Sequence, residues 1–141
     1  MRAVQRFEVS LKVFIVRDGA ALLVREADTG FWELPGGRID VGEEWDQHSE
    51  VLAREVREEL GPDVRIDVSQ RSFSWVRQRP TDGQHLFIVA RPAVLLSGAP
   101  RLSPEHSELA WLKPDDWQEL AFPPQSAYRD ALQRLWDLSR I

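Results

Sequence analysis

The segment Arg54–Gly61, Arg-Glu-Val-Arg-Glu-Glu-Leu-Gly, constrains the fold and chemistry of this chain more than any other stretch. Its three carboxylates, Glu55, Glu58 and Glu59, are spaced i, i+3, i+4, so on an α-helix they lie on one face. Like charges at this spacing repel each other and destabilise a bare helix. A bound hard cation such as Mg²⁺, which takes oxygen ligands, would offset that repulsion. For the glutamates alone, a solvated acidic face is the alternative explanation.

The surrounding residues predict a helix with a defined start, core face and end. Asp46 and Ser49 are candidate N-cap residues. From about residue 49, apolar residues recur at helical spacing opposite the glutamates: Val51, Leu52, Val56 and Leu60. Gly61 stands where a helix C′ residue belongs, and Pro62 prevents continuation. The segment is therefore expected to be an amphipathic helix packed against a core.

The rest of the chain alternates β-branched apolar runs with turn signals, which predicts mainly strands. The predicted strands are residues 11–16, 20–24, 31–34, 64–68, 72–77, 86–90, 93–96 and 109–112, with Pro92 separating the sixth from the seventh. Helical patterns follow at 114–120 and 128–138. This order predicts a mixed α/β (α+β) fold with helices packed on a sheet. No linker composition interrupts the chain, so we expect one domain over residues 1–141.

Composition excludes several classes of function. The net charge of −5 argues against non-specific nucleic-acid binding, although a metal ion would let the chain bind an anionic small molecule. The absence of cysteine excludes disulfides, thiolate zinc sites and a cysteine nucleophile, and fits a reducing compartment. The first residues lack an apolar signal core, and no apolar run approaches membrane-spanning length. We therefore expect a cytoplasmic protein without a nucleic-acid or membrane partner, either a monomer or a homodimer.

A glycine pair upstream of the acidic segment completes a longer motif. Gly36 and Gly37 allow positive φ and close approach of the backbone to a ligand, and an inward carbonyl there would join the carboxylates in an oxygen cage. The chain contains Gly37, then five residues, Glu43, a gap and Arg54–Gly61. This arrangement resembles the Nudix box. The box reads Gly, five residues, Glu, seven residues, then Arg-Glu-apolar-any-Glu-Glu-any-Gly-apolar. The preceding Trp-Glu-Leu-Pro-Gly-Gly resembles the family's entry to the box. The resemblance covers nearly the whole chain and implies a small MutT-like Nudix hydrolase, an α/β/α sandwich with a mixed central sheet.

The chain departs from the box at two positions. Ten residues separate Glu43 from Arg54 where the family pattern has seven, and Pro62 replaces an aliphatic residue. Three extra residues inside a helix would rotate it by roughly 300°, so the insertion is expected before the first helical turn, around residues 44–49. The insertion puts in question whether Glu43 supports the Arg54 side chain, and Asp46 is a candidate to replace Glu43 in that role. Pro62 is compatible with a helix that has already ended.

The resemblance implies a reaction and a ligand set. Nudix hydrolases cleave the diphosphate linkage of a nucleoside diphosphate joined to another group, X, with Mg²⁺ or Mn²⁺. By position, Glu55, Glu58, Glu59 and the Gly36 carbonyl would be metal ligands, and Arg54 would orient Glu55. Metal ions neutralise the diphosphate and lower the pKa of bound water, and a nearby carboxylate takes the water's proton. Glu55 is our first choice for that base.

Residues outside the box are further candidates. In this family the base, or a further metal-binding glutamate, also comes from a loop, which points here to Glu105 and Glu108, with Glu105 preferred. Each is equally well explained as a surface acid. Trp32 is a candidate to stack on a nucleobase or to pack in the core. Arg25 and Arg38 are candidate phosphate contacts, or solvated surface residues.

The substrate and the catalytic status are the open points of the sequence. Nucleoside triphosphates, ADP-ribose, nucleotide sugars and dinucleoside polyphosphates are all compatible with the box. The alternative function is a non-catalytic Nudix-fold module that binds or senses a nucleotide. Its expected sign is loss of box glutamates, and all three are present. The histidines His48, His85 and His106 are far apart in the sequence and receive no function.

Overall fold

The computed structural model describes residues 1–124 and 126–141, and within them an eight-stranded mixed sheet carries a helix on each face. The strands are β1 (Glu8–Arg17), β2 (Ala20–Glu26), β3 (Trp32–Glu33), β4 (Gly36–Arg38), β5 (Arg65–Val68), β6 (Phe73–Gln78), β7 (His85–Ser97) and β8 (His106–Leu112). The helices are α1 (His48–Leu60), α2 (Tyr128–Ser139) and a 3-10 helix at Pro114–Glu119. No helix in the described part of the chain is long and apolar enough to cross a membrane.

Strand β1 organises the sheet because it borders three other strands. It pairs in parallel with β7 from Glu8↔Leu86 to Val16↔Val94. Its other edge is divided: the end of β1 forms an antiparallel hairpin with β2, whereas Ser10–Lys12 pairs with β4. The hairpin turn has positive φ at Asp18 and Gly19, as a two-residue turn matched to strand twist requires. The divided edge of β1 brings the glycine pair of β4 to the middle of the sheet.

The two faces of the sheet bury separate cores. Val13 and Ile15 on one face of β1 pack in the cluster that includes α1, and Phe14 on the other face packs in the cluster that includes α2. This alternation is the period of two that a strand imposes. A central strand buried on both faces explains why β1 is a continuous apolar run. The structure confirms the mixed α+β fold, with a helix layer on each side of the sheet.

Strand β7 corrects one prediction, because it runs through Pro92 where the sequence predicted two strands. The Pro92 carbonyl accepts a hydrogen bond from the Ser69 N–H at the end of β5. In a strand, the N–H and C=O of one residue face the same neighbour. Pro92 has no N–H, and an N–H at this position would point to the edge of β7 that pairs first with β6 and then with β5. Pro92 lies where the neighbour changes, so the strand continues without losing a ladder hydrogen bond there.

Helix α1 differs from the prediction at its start. It begins at His48, its N-cap residue is Gln47, and no side chain caps it. The prediction of Asp46 or Ser49 as N-cap was therefore wrong. Gly61 follows the helix with φ of 106°, as expected of a residue that ends one. Of residues 44–49, where the insertion is expected, the first four lie in the loop before α1 and the last two lie in the first turn of the helix.

Candidate active site

Helix α1 divides its three box carboxylates between the protein interior and the solvent. Glu55 and Glu59 are one turn apart and only 8% and 7% exposed. The Glu58 side chain is 60% exposed. Glu55 and Glu59 therefore face the sheet beside β4, and Glu58 borders the solvent edge of the same cluster. Burial raises the pKa of Glu59 to about 7, although Lys12 and the Gly36 N–H lower it.

Close contacts leave no room for a side chain at Gly36 or Gly37. Gly36 has φ of +134°, and a Cβ there would lie 2.1 Å from the Leu11 carbonyl oxygen. A Cβ on Gly37 would lie 2.8 Å from both carboxylate oxygens of Glu55. The Gly36 N–H donates to Oε2 of Glu59 at 2.8 Å. The backbone of β4 thus lies directly against the two buried carboxylates, and any side chain would separate them from it.

Arg54 holds the acidic cluster together. It donates to both oxygens of Glu43 at 2.8 and 2.7 Å, to Glu55 at 3.0 Å and to both oxygens of Glu58 at 3.1 and 3.2 Å. The support of Arg54 by Glu43, which the insertion put in question, is therefore present, and Asp46 does not replace Glu43. The structural reason is that Glu43 lies in two successive turns, closed by Glu43 N–H to Asp40 and Asp46 N–H to Glu43, which absorb the extra residues.

The loop before β8 brings a second group of ligands to Glu59. One potential ligand atom from each of Glu59, Glu105 and His106 lies within 4.8 Å of the others. His106 is 6% exposed, and its Nε2 lies 3.5 Å from Oε1 of Glu33. Sequence reasoning gave His106 no function, because its partners lie far away in the chain. Its adjacency to the candidate Glu105 was the only available signal.

A buried lysine completes the site and was also missed from the sequence. Lys12 of β1 donates from Nζ to the Gly36 carbonyl at 3.2 Å and lies 3.8 Å from Oε2 of Glu33. Burial lowers the pKa of Lys12, but Glu33 and Glu59 raise it further, so it stays above its ordinary value and the side chain is charged. Burial likewise raises the pKa of Glu33, yet Lys12 and His106 bring it below its ordinary value. The cluster is thus a compact network of opposite charges.

These donors fit a hard divalent cation. Glu59 and Glu105 offer carboxylate oxygens within 4.8 Å of each other. The Gly36 N–H donates to Glu59, and the Gly36 carbonyl accepts from Lys12. Carboxylate and carbonyl oxygens are the ligands that Mg²⁺ and Mn²⁺ prefer. His106 is already within reach of Glu33, so it is better placed to orient that carboxylate than to bind a hard cation.

The other predicted site residues are distributed over the surface and core. Glu108 and Arg25 pair with each other at 3.0 Å rather than with the acidic cluster. Arg38 pairs with Glu8 and lines a cavity that also contacts Gly37. Trp32 is 8% exposed and lies in the core of the α2 face, so it does not present its ring to a ligand.

Comparison with known proteins gives the same family across the chain. The NUDIX domain model matches residues 6–135. A MutT-like protein of Streptomyces ambofaciens is 36% identical over 113 residues, which is 79% of this chain and 67% of that protein. The human 8-oxo-dGDP phosphatase NUDT18 is 41% identical over 86 residues, which is 53% of this chain but only 26% of that protein.

A solved structure agrees with this result. The MutT NUDIX hydrolase from Burkholderia pseudomallei superimposes with a TM-score of 0.70 at 29% identity, covering 93% of this chain and 99% of that one. The box glutamates, the glycine pair and Arg54 meet in one cluster, at the position that the Nudix motif implies. The chain therefore belongs to the NUDIX family and is an enzyme of the pyrophosphohydrolase class.

Proposed function

We propose that this protein hydrolyses the diphosphate linkage of a nucleoside diphosphate derivative by attack of water on phosphorus, with Mg²⁺ or Mn²⁺ as cofactor. The observation that carries the proposal is the contact of the buried Glu55 and Glu59 with the Gly36–Gly37 backbone, with the exposed Glu105 offering a ligand atom within 4.8 Å of Glu59. Such a concentration of buried carboxylates is costly unless positive charge compensates it. Lys12 and Arg54 supply part of that charge, and a cation would supply the rest.

In the proposed mechanism the chain's own residues have distinct roles. Glu59, Glu105 and the Gly36 carbonyl would hold the cation, with Lys12 giving up its hydrogen bond to that carbonyl, and Glu58 would contribute from the solvent edge. When bound, the cation neutralises the diphosphate and makes the attacking water more acidic. Glu55 accepts the proton of that water. Arg54 orients Glu55 through its 3.0 Å hydrogen bond, while its paired contact with Glu43 fixes the guanidinium.

The proposed substrate class is a nucleoside di- or triphosphate. A relative at 41% identity is named an 8-oxo-dGDP phosphatase, which supports a small nucleotide, although this chain spans only about a quarter of that protein. Phosphoryl transfer depends mainly on positioning and charge neutralisation, both of which the cluster supplies. ADP-ribose, nucleotide sugars and dinucleoside polyphosphates complete the panel of substrates to be tested.

The test measures nucleotide hydrolysis by chromatography of the products, with Mg²⁺, with Mn²⁺ and with EDTA. Glu59→Gln is expected to lower kcat/KM by at least about a thousandfold, since it removes one cation ligand and leaves the side chain's shape unchanged. Binding of Mn²⁺ to the same variant, measured by electron paramagnetic resonance, should weaken in parallel. The matched control is Glu50→Gln, an exposed residue in the first turn of the same helix, which should keep full activity.

Two results would contradict the proposal. Full activity of Glu59→Gln would exclude the acidic cluster as the catalytic centre. Ligand-induced stabilisation of the wild type without any product, across the whole panel and both metals, would identify a nucleotide-binding or sensing module instead.

A further inference from the structure

Lys12 places a positive charge among the oxygens that the proposed cation would use. It is 7% exposed, and its Nζ donates to the Gly36 carbonyl at 3.2 Å. The N–H of the same glycine donates to Glu59 at 2.8 Å. Burial lowers the pKa of Lys12, but the carboxylates of Glu33 and Glu59 hold that pKa above its ordinary value, so the side chain is an ammonium. A cation that belongs to the chain thus contacts one of the proposed metal ligands.

The ammonium and a divalent cation would compete for the Gly36 carbonyl. A carbonyl oxygen has two lone pairs, so it could accept both partners on geometry alone. Two positive charges a few ångströms apart, however, repel each other strongly where water is largely excluded. The divalent cation carries twice the charge and would also bind oxygens of Glu59 and Glu105. Lys12 is therefore expected to leave the carbonyl when that cation binds.

Glu33 provides a second acceptor for the displaced ammonium. Its Oε2 lies 3.8 Å from Nζ of Lys12, and its side chain is 12% exposed. Its other oxygen, Oε1, lies 3.5 Å from Nε2 of the buried His106. The Lys12–Glu33 separation is longer than a hydrogen bond of about 2.7–3.2 Å, and a small rotation of the lysine side chain would shorten it. Leaving Gly36 would therefore not leave a buried charge without a partner.

We propose that Lys12 is a built-in competitor of the divalent cation, which leaves the Gly36 carbonyl and moves towards Glu33 when the cation binds. Lys12 lowers the affinity of the site for the cation and compensates the buried carboxylates whenever the cation dissociates. This inference rests on the proposed function, because it takes the Gly36 carbonyl and Glu59 as ligands of the cation. Metal occupancy is then set by exchange between two cations, one of which is part of the chain.

The first test compares Mn²⁺ affinity, measured by electron paramagnetic resonance at pH 8, between the wild type and Lys12→Met. Removal of the competing charge should tighten Mn²⁺ binding by about tenfold or more, since a unit charge a few ångströms from a divalent ion opposes its binding. Lys12→Arg keeps the charge and should bind Mn²⁺ like the wild type. Lys113→Met removes the chain's other lysine at an exposed position, and this matched control should also bind Mn²⁺ like the wild type.

Thermal unfolding with and without Mn²⁺ gives a second measurement that does not depend on catalysis. A ligand that binds only the folded state raises Tm, and it does so by more when it binds more tightly. Mn²⁺ should therefore raise the Tm of Lys12→Met by more than the Tm of the wild type and narrow the difference between them. A purely structural role of Lys12 predicts the opposite, because a displaced Gly36 carbonyl would bind Mn²⁺ less well.

If Lys12→Met fails to fold, a crystal structure of the wild type with Mn²⁺ carries the test. With the metal located by anomalous scattering, Nζ of Lys12 should lie beyond about 3.5 Å from the Gly36 carbonyl oxygen and within hydrogen-bond distance of Glu33. An ammonium still bonded to Gly36 beside the metal would overturn the proposal. Mn²⁺ binding by Lys12→Met that is no tighter than binding by the wild type would overturn it as well.

Failure of this inference is distinguishable from failure of the proposed function. If only the inference fails, hydrolysis and its dependence on Glu59 remain, while Lys12→Met binds Mn²⁺ no more tightly than the wild type. If only the proposed function fails, the effect of Lys12 on Mn²⁺ affinity remains, while no nucleotide is hydrolysed with Mg²⁺ or Mn²⁺.

Discussion

Replacement of Lys12 by methionine is the sharpest test of how the buried charge network supports the fold. The Lys12 and Glu33 side chains are 9% and 12% exposed, and the charged atoms are 3.8 Å apart. At that separation the attraction is about 4 kcal/mol with an effective dielectric constant of about 20. Breaking a buried pair by removing one partner costs about 3–5 kcal/mol, because the other charge stays buried and uncompensated. The same change also deprives the Gly36 carbonyl of its lysine donor.

The expected consequence is a lower free energy of unfolding, measured by urea denaturation followed through tryptophan fluorescence. At about 3 °C per kcal/mol for a chain of this size, Tm should fall by about 9–15 °C. The pH dependence has a definite sign. Without Lys12, burial is opposed only by His106 and Arg77, so the pKa of Glu33 rises relative to the wild type and the loss of stability grows as the pH rises. The defect of Lys12→Met should therefore be smaller at pH 5 than at pH 8.

A double-mutant cycle measures the interaction energy between Lys12 and Glu33 separately from their other contacts. Lys12→Met with Glu33→Gln should recover part of the loss, with a coupling energy of about 0.5–3 kcal/mol. Lys113→Met, at the chain's other lysine and on an exposed site, should stay within about 0.5 kcal/mol of the wild type. A Lys12→Met variant destabilised by less than about 1 kcal/mol, or strictly additive effects in the double variant, would refute the reasoning.

Three further predictions address the core, the glycine pair and the metal. Tyr128 is the chain's only tyrosine, and burial raises its pKa to about 12. The tyrosinate absorbance of the native protein should therefore rise near pH 12, and a titration midpoint near pH 10 would contradict the burial of Tyr128. Gly37→Ala should lower kcat/KM by about tenfold or more with little change in Tm, because the added Cβ would displace the flexible carboxylate end of Glu55. Unchanged kinetics would refute that contact. EDTA should abolish hydrolysis and Mn²⁺ should restore it, and turnover that persists in EDTA would contradict the metal requirement.

The sequence by itself determined the features that depend on local spacing. The helical spacing of Glu55, Glu58 and Glu59, the apolar stripe opposite them and the stop at Gly61 predicted α1 to within two residues of its start. β-branched runs and turn signals predicted the strands 11–16 and 20–24, which form the first hairpin. The length and spacing of the box predicted the Nudix family, which the comparisons confirmed. Periodicity, turns and motifs involve neighbouring residues, so they can be recognised without knowing the fold.

Only the tertiary structure decided which side chains meet across long separations. Lys12 contacts Gly36 and Glu33, and His106 reaches Glu33 over 73 positions, through strand pairing that no local pattern encodes. The division of the box carboxylates into two buried and one exposed followed from packing of α1 on the sheet. The preserved Glu43–Arg54 contact depended on how the inserted loop folds.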